Sequence, residues 1–349
     1  MHVIAIANQK GGCGKTTTAI NLSAALGEDG ADVLLIDLDP QGHASLGLGH
    51  HSENRAGLYE VLNDRIELED VIEKGVAWGV DLVPASISLA AVEHVLSDRP
   101  ERERQLSRHL ETLGVHYDYV ILDCPPSLGL LAVNALRAAQ QILVPVEASL
   151  YALDGLQRLR ELVQLIETRY ELDIPLHLLP TMFDNRTRLA HTLYDLLHEQ
   201  GLRRCATQIR QCVKVREAAM QGLSLLAYAP RSSVAADYRN LALELRSLEL
   251  PGAAPQPVER TAPVPPREVV LDFQDLACRR LQIAGDFNDW IPDGGVETRE
   301  HDGSWQKVLH VPEGAYEYRV IIDGVWQLDP TNPIEVPNQL GGNNSLLRV

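Results

Sequence analysis

Cysteine is scarce in this sequence, and the little there is does not cluster. Cys13, Cys124, Cys205, Cys212 and Cys278 are the five cysteines among 349 residues, with neither metal-ligand nor disulfide spacing. That excludes a disulfide scaffold or a metal knuckle and fits a reducing cytosol. No apolar run approaches the roughly 20 residues that cross a bilayer as a helix. Positive charge is in deficit as well: a net charge of −17 leaves no overall nucleic-acid footprint, so contact with a polyanion has to come from a local patch. The first apolar stretch begins at Val3, and no signal peptide is expected. The length allows two domains and a well-buried main core.

What is present is concentrated first in residues 3–18. Val3 to Ala7 is an apolar run suited to a buried parallel strand, a glycine-rich loop follows, and Ala19 to Leu26 has helical spacing. Strand, glycine loop and helix together make a phosphate cradle. The glycines let backbone N–H groups close on phosphate oxygens, and the helix N-terminus adds its positive dipole. Lys15 can reach β- and γ-phosphates, and the Thr16 hydroxyl can meet Mg²⁺. Gly14-Lys15-Thr16 fits the end of the usual phosphate loop, but Gln9 stands at its opening position and a second lysine, Lys10, precedes Gly11-Gly12. A glycine turn with chance lysines is the plainer alternative.

Lys-Gly-Gly-x-Gly-Lys-Thr-Thr resembles the deviant phosphate loop of the ParA/MinD family of ATPases. The resemblance implies ATP and Mg²⁺ as cofactors, slow intrinsic ATP hydrolysis and a homodimer that sandwiches two nucleotides. Lys10 would reach the partner's nucleotide, and Gly11, Gly12, Cys13, Gly14, Lys15, Thr16 and Thr17 would hold the chain's own. The helix-turn-helix extension carried by some larger ParA proteins is not expected.

Two further markers end buried strands. Asp32 to Leu38 runs into Asp37-Leu38-Asp39-Pro40-Gln41-Gly42, and Tyr119 to Leu122 delivers Asp123 before Cys-Pro-Pro. Carboxylates at strand ends beside a phosphate loop suit metal and water chemistry, although Asp, Pro and Gly also favour simple turns. By the resemblance, Asp39 orients the attacking water, while Asp37 and Asp123 join Thr16 in the Mg²⁺ shell. Lys10, Lys15 and Asp39 are thus the expected catalytic residues. The segment from Thr181 to Thr187 resembles the family's base-side loop, with Met182 and Asp184 at the adenine. Residues 99–113 read as one charged amphipathic helix with a solvated face. Strands and helices alternate to about residue 250, which implies a doubly wound, mostly parallel sheet with its ligand at the strands' carboxyl ends.

Residues 203–216 form the most basic window, with Arg203, Arg204, Arg210, Lys214 and Arg216 and no acid among them. The family binds DNA without sequence preference through this region, and phosphate contact needs only clustered cations. Arg186 and Arg188 could join them. A scattered solvated face with internal ion pairs is the alternative. Arg210 stands where the family usually has a proline. The closing helix leans acidic, unlike the basic membrane helix of MinD-type proteins, so no membrane partner is expected.

Residues 251–266 hold six prolines, which cannot continue a helix and read as an extended linker between domains 1–250 and 267–349. The last domain reads as all-β, and three of the four tryptophans, Trp290, Trp305 and Trp326, fall in it. Ile283 to Trp290, Tyr316 to Trp326, Asp329-Pro330 and Gly342-Asn343-Asn344 resemble the glycogen-binding module of AMP-activated protein kinase β-subunits, an immunoglobulin-like sandwich. The resemblance places Trp290 and Trp326 on sugar rings, Arg319 where the family has lysine, and Asn343 on a hydroxyl; Trp305 is expected in the core. Alternatively all three tryptophans pack the sandwich, or the module binds protein.

The expected function is a cytoplasmic, nucleoid-associated ParA-type ATPase that positions a cargo, with a ParB-like activator as partner and a glucan or glucan-associated protein on its tail. The alternative is a nucleotide-switched regulator of a polysaccharide-related assembly with no DNA role. No glycosidase-type acid–base pair stands out in the β domain.

Overall fold

The computed structural model describes residues 1–50, 56–147, 152–183, 203–248, 267–274, 278–288, 290–301, 304–311, 314–338 and 342–349. Its contacts divide the chain into two compact units, Met1–Leu250 and Pro251–Val349. The proline-rich segment 251–266 lies outside the described residues.

The first unit is built on an eight-stranded sheet. Its strands are β1 (His2–Ile6), β2 (Val33–Asp37), β3 (Glu73–Ala77), β4 (Val80–Val83), β5 (Tyr119–Asp123), β6 (Gln141–Glu147), β7 (Leu176–Thr181) and β8 (Arg203–Arg204), in the order β3-β4-β2-β5-β1-β6-β7-β8. Among the described residues of this sheet, only the β3–β4 pair is antiparallel. The helices are α1 (Lys15–Glu28), α2 (His43–Gly47), α3 (Leu58–Leu62), α4 (Val92–Val95), α5 (Gln105–Glu111), α6 (Leu130–Ala138), α7 (Ala152–Tyr170), α8 (Lys214–Met220), α9 (Leu225–Tyr228) and α10 (Ser233–Leu248).

Central parallel strands are covered on both faces, so they are apolar throughout and do not alternate with polar residues. Alternation survives only in which core each residue enters. Val3, Ala5, Leu34 and Ile36 pack on one side, and Ile4, Ile6, Val33 and Leu35 on the other. The second core is closed by α1 and by α10, which pack together.

The expected helix over 99–113 is broken. Glu101 takes a left-handed φ of 52°, a short 3-10 turn covers Arg102–Arg104, and α5 begins only at Gln105. Arg99 pairs with Asp64 at 2.9 Å across the surface, as a solvated charged face would.

The second unit is antiparallel. One sheet has β10 (Leu281–Gly285), β13 (Ala315–Ile322), β16 (Asn343–Arg348) and β15 (Glu335–Pro337), with β14 (Val325–Gln327) paired to β13. The other has β11 (Glu297–His301), β12 (Ser304–Val311) and β9 (Arg267–Phe273). Phe273, Leu309 and Val311 from the small sheet meet Leu281, Ile283, Tyr318 and Val320 from the large one, a β-sandwich core. Trp305 is partly buried against that core, as expected.

Candidate nucleotide-binding site

The loop between β1 and α1 turns on glycine. Gly12 and Gly14 have φ of 75° and 94°, left-handed values that L side chains resist, and Gly14 is the residue from which α1 starts. The loop is pinned at both ends. The buried Asn8 side chain donates to the Pro145 carbonyl at 2.7 Å and accepts from the Lys10 N–H at 3.0 Å. The Thr181 hydroxyl donates to the Cys13 carbonyl at 2.8 Å. Lys15 is only 7 % exposed, and its ammonium donates back to the Lys10 carbonyl at 3.0 Å, inside the arch that a phosphate would enter. Lys10 is held by an ion pair with Glu147.

Three carboxylates gather at the strand ends beside this arch. Asp37 is buried; the Ser45 N–H and hydroxyl donate to one of its oxygens at 2.9 and 2.8 Å, and the Asp39 N–H to the other at 3.2 Å. Burial nevertheless pushes its pKa up to about 6, against the lowering by Ser45. Asp39, 7 % exposed, accepts from the Gln41 N–H at 3.0 Å, fixing the turn that leads into α2. Asp123 is fully buried. Burial, then the nearby Asp37 charge, raise its pKa well above the ordinary value, while the Thr16 hydroxyl and the Lys15 ammonium pull it down. Thr16 is thus close enough to act on Asp123, yet among the described residues neither carboxyl oxygen has a hydrogen-bond partner of good geometry. A buried carboxylate left in that condition is costly unless a cation meets it. The fit is to a hard divalent ion taking oxygen ligands and keeping waters and phosphates for the rest. Among the described residues no group of three or more His, Cys, Asp or Glu converges as a protein-only metal cage.

A cavity of about 410 Å³ opens next to the loop, lined by Thr16, Thr17, His43 and Leu46 on one side and Val215 and Met220 of α8 on the other. Met182, directly after Thr181, has a left-handed φ of 51° and is 36 % exposed. Asp184, Arg186 and Arg188 lie outside the described residues.

The five basic residues of 203–216 are not brought together. Arg203 and Arg204 are exposed on β8 in register with His177 and Leu178, the start of β7, whereas the end of β7, Thr181, touches the loop. Lys214 and Arg216 sit on α8, which lines the cavity with Val215 and Met220. Arg210 is engaged elsewhere: its guanidinium makes bonds of 3.0 and 2.8 Å to Asp237 of α10 and one of 2.8 Å to the Ser233 carbonyl. Its first role is therefore to tie the segment after Ile209 to α10.

In the β-sandwich, Trp290 and Trp326 lie 6.5 Å apart and 24° from parallel, and Trp326 is 44 % exposed. Trp290 has a left-handed φ of 61°, and its indole N–H donates to Asp286 at 3.1 Å. Asn343 is exposed and donates to Glu335 at 2.7 Å. Arg319 stands between the core residues Tyr318 and Val320 of β13 and so faces away from the core, where its guanidinium reaches β16, donating to the Asn343 carbonyl at 2.7 Å and to the Asn344 side-chain oxygen at 3.0 Å.

A left-handed glycine loop feeding a buried lysine into a helix start, at the carboxyl ends of parallel strands, belongs to the P-loop class of nucleotide-binding proteins. Comparison with known proteins narrows this. Residues 1–176 match the family described as an AAA domain, and residues 267–349 match the glycogen recognition site of AMP-activated protein kinase. The sporulation initiation inhibitor protein Soj of Bacillus subtilis is 40 % identical over 246 residues, 70 % of this chain and 97 % of Soj. The chromosome partitioning protein ParA of Myxococcus xanthus is 38 % identical over 254 residues, 72 % of this chain and 89 % of ParA. Among solved structures, cobyrinic acid a,c-diamide synthase of Mycobacterium smegmatis, with bound ATP analogue and magnesium, superposes with a TM-score of 0.62 at 34 % identity, over 70 % of this chain and 94 % of that one. The chain belongs to the family of the Soj and ParA proteins, and it carries a glycogen-recognition module after its ATPase domain.

Asn8, Ser45 and Asp237 support the site without any motif that marks them in the sequence. Their contacts join elements far apart in the chain, and no local spacing announces them.

Proposed function

We propose that this protein is a Mg²⁺-dependent ATPase that closes as a homodimer over two ATP molecules, holds DNA without sequence preference in that state, and positions a glucan or glucan-associated cargo through its β-sandwich. The observation that carries the nucleotide part is Asp123, buried beside Thr16 and the loop with no hydrogen-bond partner of good geometry among the described residues. Thr16, Asp37 and Asp123 would hold the magnesium ion, which supplies charge neutralisation on the phosphate oxygens. Lys15 leaves the Lys10 carbonyl to bind the chain's own phosphates, and Lys10 meets the partner's. Asp39, fixed by its turn, orients the attacking water. The chemistry needed is mostly positioning and electrostatic stabilisation, so slow intrinsic turnover raised by an activating partner fits.

The glucan part rests on the exposed Trp326 and its neighbour Trp290, whose ring faces suit the C–H faces of sugars, and on the exposed Asn343 as a hydroxyl partner. In a second reading, nucleotide state controls a glucan-related assembly without DNA. The separation of Arg203 and Arg204 from Lys214 and Arg216 favours it. The test is purified protein with ATP, ADP or a non-hydrolysable analogue, assayed for sedimentation as a dimer, retardation of arbitrary duplex DNA at low salt, and co-sedimentation with glycogen. A monomer in every nucleotide state defeats the first reading. Dimerisation without DNA retardation favours the second.

A further inference from the structure

Residue 307 is a lysine where the β-sandwich calls for an apolar side chain. On β12, Trp305, Leu309 and Val311 enter the core, and Lys307 shares their face by alternation, its side chain wholly buried. Its ammonium donates to the hydroxyl of Thr298, its register partner on β11, at 2.7 Å and to the Asp293 carboxylate at 2.9 Å. Asp293 belongs to the segment between β10 and β11, which also carries Trp290. The same carboxylate oxygen accepts the Ile283 N–H at 3.0 Å, and the Asp293 N–H donates to the Ile283 carbonyl at 2.9 Å. Lys307 thus reaches out of the small sheet to fasten that segment onto β10 of the large one.

Trp290 and Asp293 both stand at left-handed φ, 61° and 55°. Aspartate tolerates that region, but a bulky aromatic residue keeps it only where its surroundings impose it. The Trp290 N–H donates to the Gly285 carbonyl at 2.9 Å, and Asp293 closes the segment three residues later. The result is an indole ring set 6.5 Å from that of Trp326.

We propose that Lys307 is a positioning residue for Trp290. Through Asp293 it fixes the backbone that sets this ring beside Trp326, so glucan affinity depends on a buried charge that touches no sugar. The inference rests on the glucan reading above. A buried ion pair is weak evidence for stability, because apolar residues of similar volume often serve the fold as well. What this pair secures is one arrangement of the Trp290 segment. The Asp293 side chain is 26 % exposed and can turn to water once the lysine is gone, so Lys307→Met strands no charge.

Holding a side chain that binding would otherwise have to immobilise is worth roughly 2- to 12-fold in affinity. In the full-length chain, Lys307→Met should weaken maltoheptaose binding by that factor in titration calorimetry, with the melting temperature of the sandwich equal to wild type or higher. Without sugar, it should also shrink the exciton signal of the Trp290–Trp326 pair in circular dichroism, a signal assigned by its loss in Trp326→Ala. In a Trp290→Ala background, Lys307→Met should change binding no further; a second loss there would mean general damage to the sandwich and overturn the proposal. If Lys307→Met does not fold, Asp293→Asn reads the same bond. Asparagine keeps the left-handed turn and the Ile283 contact, drops the charge, and should weaken binding in the same direction. If the wild type binds maltoheptaose and the folded variant binds as tightly, the role of Lys307 is overturned and the glucan reading stands. If the wild type does not bind, both fall.

Discussion

Asp37 and Asp123 are register partners at the carboxyl ends of β2 and β5, both buried, and the charge of Asp37 adds to burial in raising the pKa of Asp123. A carboxyl whose pKa rises on folding binds more protons folded than unfolded. Stability is then unaffected below the unfolded value and falls as pH climbs towards the folded one. For Asp37 that window runs from 3.8 to about 6 and amounts to at most roughly 3 kcal/mol. The nucleotide-free protein should thus lose stability across this range. Asp123→Asn should flatten the loss and raise the melting temperature at pH 7. Calorimetry from pH 4 to 8 checks it, and identical curves for the two proteins would contradict the assignment.

The same substitution should cost the protein its magnesium response. ATP with Mg²⁺ should raise the wild-type melting temperature more than ATP with EDTA does. Asp123→Asn should show equal shifts in both, because the asparagine oxygen is a poor substitute for a carboxylate under a divalent ion.

Lys15→Ala removes an ammonium that is 7 % exposed and already turned into the loop. Charge-assisted hydrogen bonds to phosphate are worth about 1.5–3 kcal/mol each, so ATP affinity should fall by roughly 10- to 150-fold by titration calorimetry. Asp39→Ala leaves the phosphates their lysine but removes the oriented acceptor for water. It should accumulate an ATP-bound dimer with single-turnover hydrolysis slowed; hydrolysis at the wild-type rate would remove Asp39 from the mechanism.

Trp326 offers an exposed ring face beside Trp290. Anchoring aromatics of this kind cost about 2 kcal/mol or more when truncated, so Trp326→Ala should weaken co-sedimentation with glycogen by roughly 30-fold. Arg319→Ala should act differently. It releases the Asn343 carbonyl, so its loss should appear as a lower melting temperature of the sandwich together with weaker glucan retention. Retention lost at unchanged stability would instead mark Arg319 as a direct sugar ligand.

The loop and the three strand-end aspartates are legible in the sequence because each is a backbone requirement written locally. Gly12 and Gly14 stand where φ is positive, and Asp37 and Asp123 end uninterrupted apolar runs. What is illegible is pairing at a distance. Lys10 and Glu147 are 137 residues apart, and their meeting depends on β6 lying beside β1. Proximity in sequence misleads in the opposite sense at the basic window. Arg203 and Lys214 are close along the chain, but parallel pairing puts Arg203 beside His177, at the end of β7 remote from Thr181 and the loop. The break at Glu101 is also hidden, since the charge pattern of residues 99–113 continues through a residue whose φ is 52°.

Arg210 separates a structural cation from a binding one. Its guanidinium is bidentate on Asp237, whose side chain is only 10 % exposed, while its own is 46 % exposed. Removing one partner of a fully buried pair costs about 3–5 kcal/mol. Solvent on the arginine discounts that, so Arg210→Ala should destabilise the ATPase domain by roughly 1–3 kcal/mol in urea unfolding. Any weakening of DNA retardation by this variant should disappear when it is compared at equal folded fraction. Lys214→Glu with Arg216→Glu, on the surface of α8, should leave unfolding within about 0.5 kcal/mol of wild type. If the DNA face lies on α8, that double variant abolishes retardation while Arg203→Glu with Arg204→Glu does not. The reverse pattern would move the face to β8, and retention in both would leave the ATP-bound protein without the DNA contact assigned to this window.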